Sequence, residues 1–181
     1  MSDIEIIHSD ENPQEYQSLL GKISETYIFG QVKATQAINI QLLETYWQIG
    51  QHIVEFEQGG NARAKYGKAL ISNLAKDLSL LHGKGFSRSN IIYMRLFYLR
   101  YPISQKPSHQ LSWSHFVELL KIDDDLERMF YESQTIAEKW SVPQLKRQKN
   151  TAFFERLALS KNKEEILQLA FQGQEIATAK D

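Results

Sequence analysis

The seven positions Lys84-Gly85-Phe86-Ser87-Arg88-Ser89-Asn90 hold two cations, two hydroxyls and an amide. Cations pair with phosphates, and hydroxyl and amide groups hydrogen-bond to phosphates or to base edges. The surrounding sequence predicts where those groups stand. Gly83 and Gly85 supply the positive φ angles of a tight turn. Ser87 is an N-cap ahead of an apolar run. Pro102 restricts its neighbour and predicts a helix stop at Tyr101. With the amphipathic segment upstream, the local expectation is helix, short turn, helix.

Charge points the same way. From Gln58 to Val117 the basic residues are Arg63, Lys65, Lys68, Lys76, Lys84, Arg88, Arg95, Arg100 and Lys106, and Asp77 is the one acid. The whole chain has a formal net charge of -1, so the flanks are acidic. A basic middle interleaved with Tyr66, Phe86, Tyr93, Phe97, Tyr98 and Tyr101 implies a polyanionic partner. The competing account is a buried aromatic helix ringed by solvated lysines. The helix after Ser87 is apolar nearly all round, so its middle is expected inside the core. Its first turn is polar, and free backbone N–H groups there suit a phosphate.

Other constellations carry less chemistry. His8, His52, His82, His109 and His115 form no zinc-type spacing. Ser112-Trp113-Ser114-His115 places hydroxyls beside an imidazole, yet no acid completes a nucleophilic set, and capping is the expected role. Asp123-Asp124-Asp125 reads as a helix-start cluster. No Walker-type glycine loop is present. The chain has no cysteine, which excludes disulfides and thiolate chemistry. No catalytic residue, metal site or cofactor is expected.

The elements that position the basic stretch follow from periodicity. Residues 1–11 form a short acidic lead. Asn12-Pro13 opens a helical run of about forty residues, with Tyr16, Leu19, Leu20, Ile23 and Tyr27 at helical spacing. Gly30 is a point where that run can kink or divide. Leu42, Leu43, Tyr46, Ile49 and Ile53 then share one face, widened by Trp47 and Val54. Gly59-Gly60-Asn61 ends the run. A second helix is expected from about Ala64 to Leu81, with Leu70, Ile71, Leu74, Leu78 and Leu81 inside. After the loop 102–110, Ser112 or Ser114 caps a short helix, and Asp124 or Asp125 caps the next. Trp140-Ser141-Val142-Pro143-Gln144-Leu145 combines a capping box with a hydrophobic staple. It opens a helix expected to run through Phe153 and Phe154 to about Ala158, with Lys146, Arg147 and Lys149 near its start. Asn162 and Glu165 can cap a last helix, which Gly173 ends.

The blocks Tyr46-Trp47-Gln48-Ile49-Gly50, Tyr66-Gly67-Lys68, Gly83 to Asn90, Tyr93 to Tyr98, Gln110 to His115 and Glu155 to Ser160 together resemble the N-terminal domain of the YhcG-like family of PD-(D/E)XK nuclease-associated proteins. The likeness covers about residues 15 to 172. It implies a helical, helix-turn-helix or winged-helix-like domain that serves DNA binding, followed in full-length members by a nuclease domain. No strand-borne Asp followed by Glu-x-Lys occurs here; Lys163-Glu164-Glu165 has the wrong order.

The expectation is therefore a mostly α, multi-helix domain with a helix-turn-helix or winged-helix-like unit. It comprises the lead 1–11, a helical domain 12–173 and a frayed tail 174–181. Its expected function is a DNA-binding, targeting module without catalysis of its own. Lys84, Arg88, Ser89 and Asn90 would meet the duplex, with Arg63, Lys65, Lys68, Arg95 and Arg100 on phosphates. The alternative is a protein-interaction or homo-oligomerisation module built on the long first helix. A basic leader and a long apolar span are both lacking, so a soluble, cytoplasmic, non-membrane protein is expected.

Overall fold

The computed structural model describes residues 13–59, 69–101 and 110–159, together with Glu165 and Gln168, which are both helical. The lead, the tail, Asn12 and the residues at 60–68 and 102–109 lie outside the described residues. The elements are α1 (Pro13–Gln58), α2 (Leu70–His82), a 3-10 turn (Lys84–Phe86), α3 (Arg88–Arg100), α4 (Trp113–Leu119), α5 (Asp125–Ala137), α6 (Val142–Asn150) and α7 (Phe153–Ala158). The class is mostly α, and no strand, hence no wing, occurs among the described residues. Contacts divide the chain into two units, Met1–Ile38 and Asn39–Asp181. No described helix is long and apolar enough to cross a membrane.

Helix α1 runs unbroken for 46 residues. Gly30 does not divide it. One glycine costs a helix interior about 1 kcal/mol relative to alanine, too little to stop a run with good formers on both sides. Its Asn39-to-Gln58 part belongs to the second unit and packs there. Leu43, Ile53 and Val54 are buried, whereas Leu42 is exposed. Gly50 is also buried, for a steric reason. A Cβ at Gly50 would collide with the Met94 carbonyl oxygen and lie 2.9 Å from Tyr98 Cβ. Only glycine lets α1 approach the α3 backbone so closely.

Most helix starts form as their capping chemistry dictates. Ser87 Oγ accepts from the Asn90 N–H at 3.2 Å, and Asp124 Oδ1 accepts from the Glu127 N–H at 2.7 Å. Ser141 and Gln144 form the capping box of α6, and Leu145 is fully buried with Trp140 packed against the same cluster. At α4 the capping box uses a histidine: His115 Nδ1 accepts from the Ser112 N–H at 3.2 Å. Its Nε2 lies 3.0 Å from the Trp140 carbonyl and donates to it.

The core is aromatic. Phe97 of α3, fully buried, stacks against Tyr101, Trp113 and Phe116 with centroids 5.2, 5.4 and 4.9 Å away. Helix α1 ties down the residues on either side of 102–109. Trp47 Nε1 donates to the Tyr101 carbonyl at 2.7 Å, and Asn39 Nδ2 donates to the Leu111 carbonyl at 2.8 Å. Tyr101 Oη donates to Glu132 Oε2 at 2.9 Å. Burial raises the Glu132 carboxyl above its ordinary range, against the Tyr101 hydrogen bond and the Arg128 charge.

Two boundaries differ from the periodicity. The helix expected to run through Phe153 is split at Thr151-Ala152, where Ala152 is left-handed at φ 50°. A left-handed alanine costs about 1–2 kcal/mol. Here it turns Phe153 and Phe154 so that both meet Phe130, at 5.6 and 5.3 Å. Leu81, expected inside, is exposed in the last turn of α2.

Gly50→Ala should lower stability by about 1–3 kcal/mol through overpacking, seen as a reduced urea midpoint with an unchanged slope. A pH effect is expected at His115. Burial lowers its pKa, and the Trp140 hydrogen bond only partly opposes this. The unfolded chain therefore binds the proton first. The stabilisation is complete above the ordinary value of about 6.5. It is lost as pH falls through the lower, folded value. His115→Gln keeps an acceptor for the Ser112 N–H without titrating. The urea midpoint of that variant should fall less than that of the parent between about pH 7 and about pH 5.

Candidate nucleic-acid interface

The turn between α2 and α3 is built by backbone economy. Gly83 has φ 86° and its N–H donates to the Ser79 carbonyl at 3.0 Å, closing α2. A side chain at that φ would be strained. Ser79 Oγ donates to the Phe86 carbonyl at 3.2 Å, and the rings of His82 and Phe86 lie 5.7 Å apart. Three residues of 3-10 helix then deliver the chain to Ser87 and α3.

Lys84, Arg88 and Ser89 are all exposed at this corner. None has an ion-pair or hydrogen-bond partner among the described residues. Asn90 is different. Its Nδ2 donates to the Gly85 carbonyl at 2.6 Å, and its Oδ1 accepts from Trp113 Nε1 at 2.8 Å. Asn90 thus clamps the turn to α4, and both ends of its amide are engaged within the protein.

The other two described candidates are engaged as well. Arg95 Nε meets Glu57 Oε2 at 2.7 Å and fastens α3 to the end of α1. Arg100 donates to the carbonyls of Leu120 and Ile122 at 3.2 and 2.5 Å and pairs with Asp123 at 3.0 Å. It satisfies the carbonyl of Leu120, left open at the end of α4, and that of Ile122 in the connection beyond it. Arg63, Lys65 and Lys68 lie outside the described residues. The structure therefore brings Lys84, Arg88 and Ser89 together as exposed groups and gives Asn90, Arg95 and Arg100 internal partners.

A second basic group surrounds an acid that the sequence reading did not single out. Glu118 is buried, and its carboxylate lies 2.6 Å from Lys121 Nζ, 3.3 Å from Lys146 Nζ and 3.8 Å from Lys149 Nζ. Burial alone would raise its pKa, but hydrogen bonds and charge from Lys121 and Lys146 outweigh this and hold it below the usual carboxylate range. Burial lowers the Lys149 pKa, with the Glu118 charge in opposition. Lys149 also donates to the Glu118 carbonyl at 2.6 Å. Lys146 and Lys149, which fall in the second half of α6, are thus anchored on one carboxylate. The aspartate run is similarly occupied: Asp123 holds Arg100, Asp124 caps α5, and Asp125 meets Arg128 at 2.7 Å.

A helical domain with a cationic, solvent-facing helix start is the class that this geometry defines. The chain belongs to the DUF1016 N-terminal domain family, whose pattern matches residues 22–156. It is 37% identical over 185 aligned positions to an Escherichia coli (strain K12) protein named "Putative nuclease YhcG". That alignment covers 84% of this chain and 49% of the relative, so the chain spans about half the relative's length. No solved structure matches.

Asn90→Ala should leave the Trp113 N–H and the Gly85 carbonyl unpaired. The expected cost is about 1–3 kcal/mol, read from thermal unfolding. Asn90→Asp, which keeps an acceptor for Trp113 but loses the donor to Gly85, should lie between parent and alanine variant.

Proposed function

We propose that this chain is the DNA-binding, targeting part of a PD-(D/E)XK nuclease-like protein, with α2 and α3 as a helix-turn-helix unit, and that it does not cleave phosphodiesters by itself. The observation that carries the reading is the exposed corner at Lys84, Arg88 and Ser89. There, two cations without an ion-pair partner among the described residues stand beside the first backbone N–H groups of α3. Those N–H groups carry the positive end of the helix dipole and suit a phosphate oxygen. The helix-turn-helix mode directs this end of the second helix to the duplex. The relative's name, which speaks of a nuclease, agrees with a DNA substrate for the family.

Arg95 and Arg100 are left out of the contact set because Arg95 already pairs with Glu57 and Arg100 with Asp123 and the Leu120 and Ile122 carbonyls. Asn90 supports the surface from behind. Arg63, Lys65 and Lys68 precede α2 in the chain and complete the basic stretch as proposed phosphate contacts. Contacts of this kind make affinity strongly salt-dependent and weakly sequence-dependent.

Binding to duplex DNA, titrated against salt by fluorescence anisotropy, tests this. Lys84→Ala and Arg88→Ala should each weaken binding and reduce the log–log salt slope by about 0.9 per lost phosphate contact. Arg100→Ala should lower thermal stability and leave that slope unchanged. Unaltered binding in the Lys84→Ala/Arg88→Ala double variant would remove this corner from the interface.

A further inference from the structure

Every residue from 14 to 38 of α1 is exposed. A lone helix of this length is marginal in water, because helices in proteins gain most of their stability from a packed face. Yet this one does not have the composition of a solvated helix. Tyr16, Leu20, Ile23 and Tyr27 are 59, 45, 56 and 65% exposed. They recur at steps of four, three and four, and the same rhythm continues to Gly30 and Ala34. Alternating steps of three and four make a coiled-coil seam with a 3.5-residue period. Glu15, Lys22, Glu25 and Lys33 all fall off that seam.

We propose that this seam is a dimer interface, paired with the same seam of a second copy running antiparallel. The distribution of side-chain sizes along the seam selects both partner and direction. The seam is bulky at its start and small at its end. In the antiparallel register Tyr16 faces Ala34 of the second copy, Leu20 faces Gly30, and Ile23 faces Tyr27. The two-fold axis repeats each pairing in reverse, so every layer keeps at least one large side chain and none is empty. A parallel, in-register pair would instead stack Tyr16 on Tyr16 and set Gly30 against Gly30, leaving a void. Electrostatics does not oppose the pairing, because no charge sits in the seam.

The size of the surface sets the strength. Half-covered large side chains contribute about 100 Å² each. Two copies with their flanking stems therefore bury about 1,000 Å², the lower end for a specific interface. A weak dimer in the micromolar range is the result. Phe29 lies outside the seam, where Lys33 Nζ sits 4.6 Å from its ring centroid and covers one face.

Two glycines of the same helix provide the test. A Cβ at Gly30 or at Gly21 meets nothing within 4 Å in the single chain, so glutamate fits both positions and favours the helix. Gly30 is in the seam, and Gly21 is outside it. Sedimentation equilibrium of the full chain should show a concentration-dependent dimer. Gly30→Glu, which puts a charge inside the seam, should shift it to monomer, and Gly21→Glu should leave it intact. A parent that is monomeric at every soluble concentration, a tetramer or open-ended assembly, or equal behaviour of the two variants would each overturn the proposal. Direction is read by oxidation, since the chain has no cysteine of its own. Thr26→Cys, near the two-fold axis, should form a disulfide-linked dimer, and Leu20→Cys, which faces its own copy only in a parallel pair, should not. Cross-linking at Leu20→Cys would mean a parallel pair and would overturn the register. DNA binding enters none of these readouts.

Discussion

The close approach of α1 to α3 at Gly50 is the constraint on which the rest of the second unit depends. Because no Cβ intervenes, the Met94 backbone lies against the α1 backbone, and Ile91, Met94 and Phe97 are completely buried. Phe97 then becomes the centre to which Tyr101, Trp113 and Phe116 pack. The same approach brings Arg95 within reach of Glu57. With most of α3 covered on several sides, its first turn and Leu99 are the parts left to face solvent. The exposed corner is therefore a consequence of core packing.

Polar groups of the second unit divide into two sets. One set holds the helices in place: Asn90 between the turn and α4, Arg100 on the α4 carbonyls, Glu118 among three lysines, and Tyr101 on Glu132. Each has low exposure or several partners, so removing one member leaves a buried group unpaired, which costs more than the bond itself contributes. The other set, Lys84, Arg88 and Ser89, is exposed and has no partner among the described residues. In the sequence, Asn90 and Arg100 of the first set look like Lys84 and Arg88 of the second. All four are basic or amide residues in one basic stretch.

Legibility followed the range of the interaction. Caps at Ser87, Asp124 and Ser141 and the helix stop at Tyr101 were readable because each depends on a residue and its neighbours within one turn. The α6–α7 break at Ala152 was not. A left-handed alanine there depends on Phe130, more than twenty positions away, which the two phenylalanines must both reach. The basic cluster of Lys146 and Lys149 was visible as a charge run, but Glu118, the acid that orders it, stands on another helix. Histidine as the capping-box partner of Ser112 was obscured because glutamate or glutamine is the usual residue there.

By itself, the amino-acid sequence determined the helical class, the places where most helices begin, the absence of thiol chemistry, and a basic centre between acidic flanks. These follow from local propensity, periodicity and composition, which act over a few residues or over the whole chain at once. The tertiary structure decided which cations remain available to a partner, why position 50 is glycine, and which apolar face of α1 enters the core. Those outcomes depend on distances between residues far apart in the chain. A side chain's spare hydrogen-bonding capacity is defined only once its neighbours in space are known.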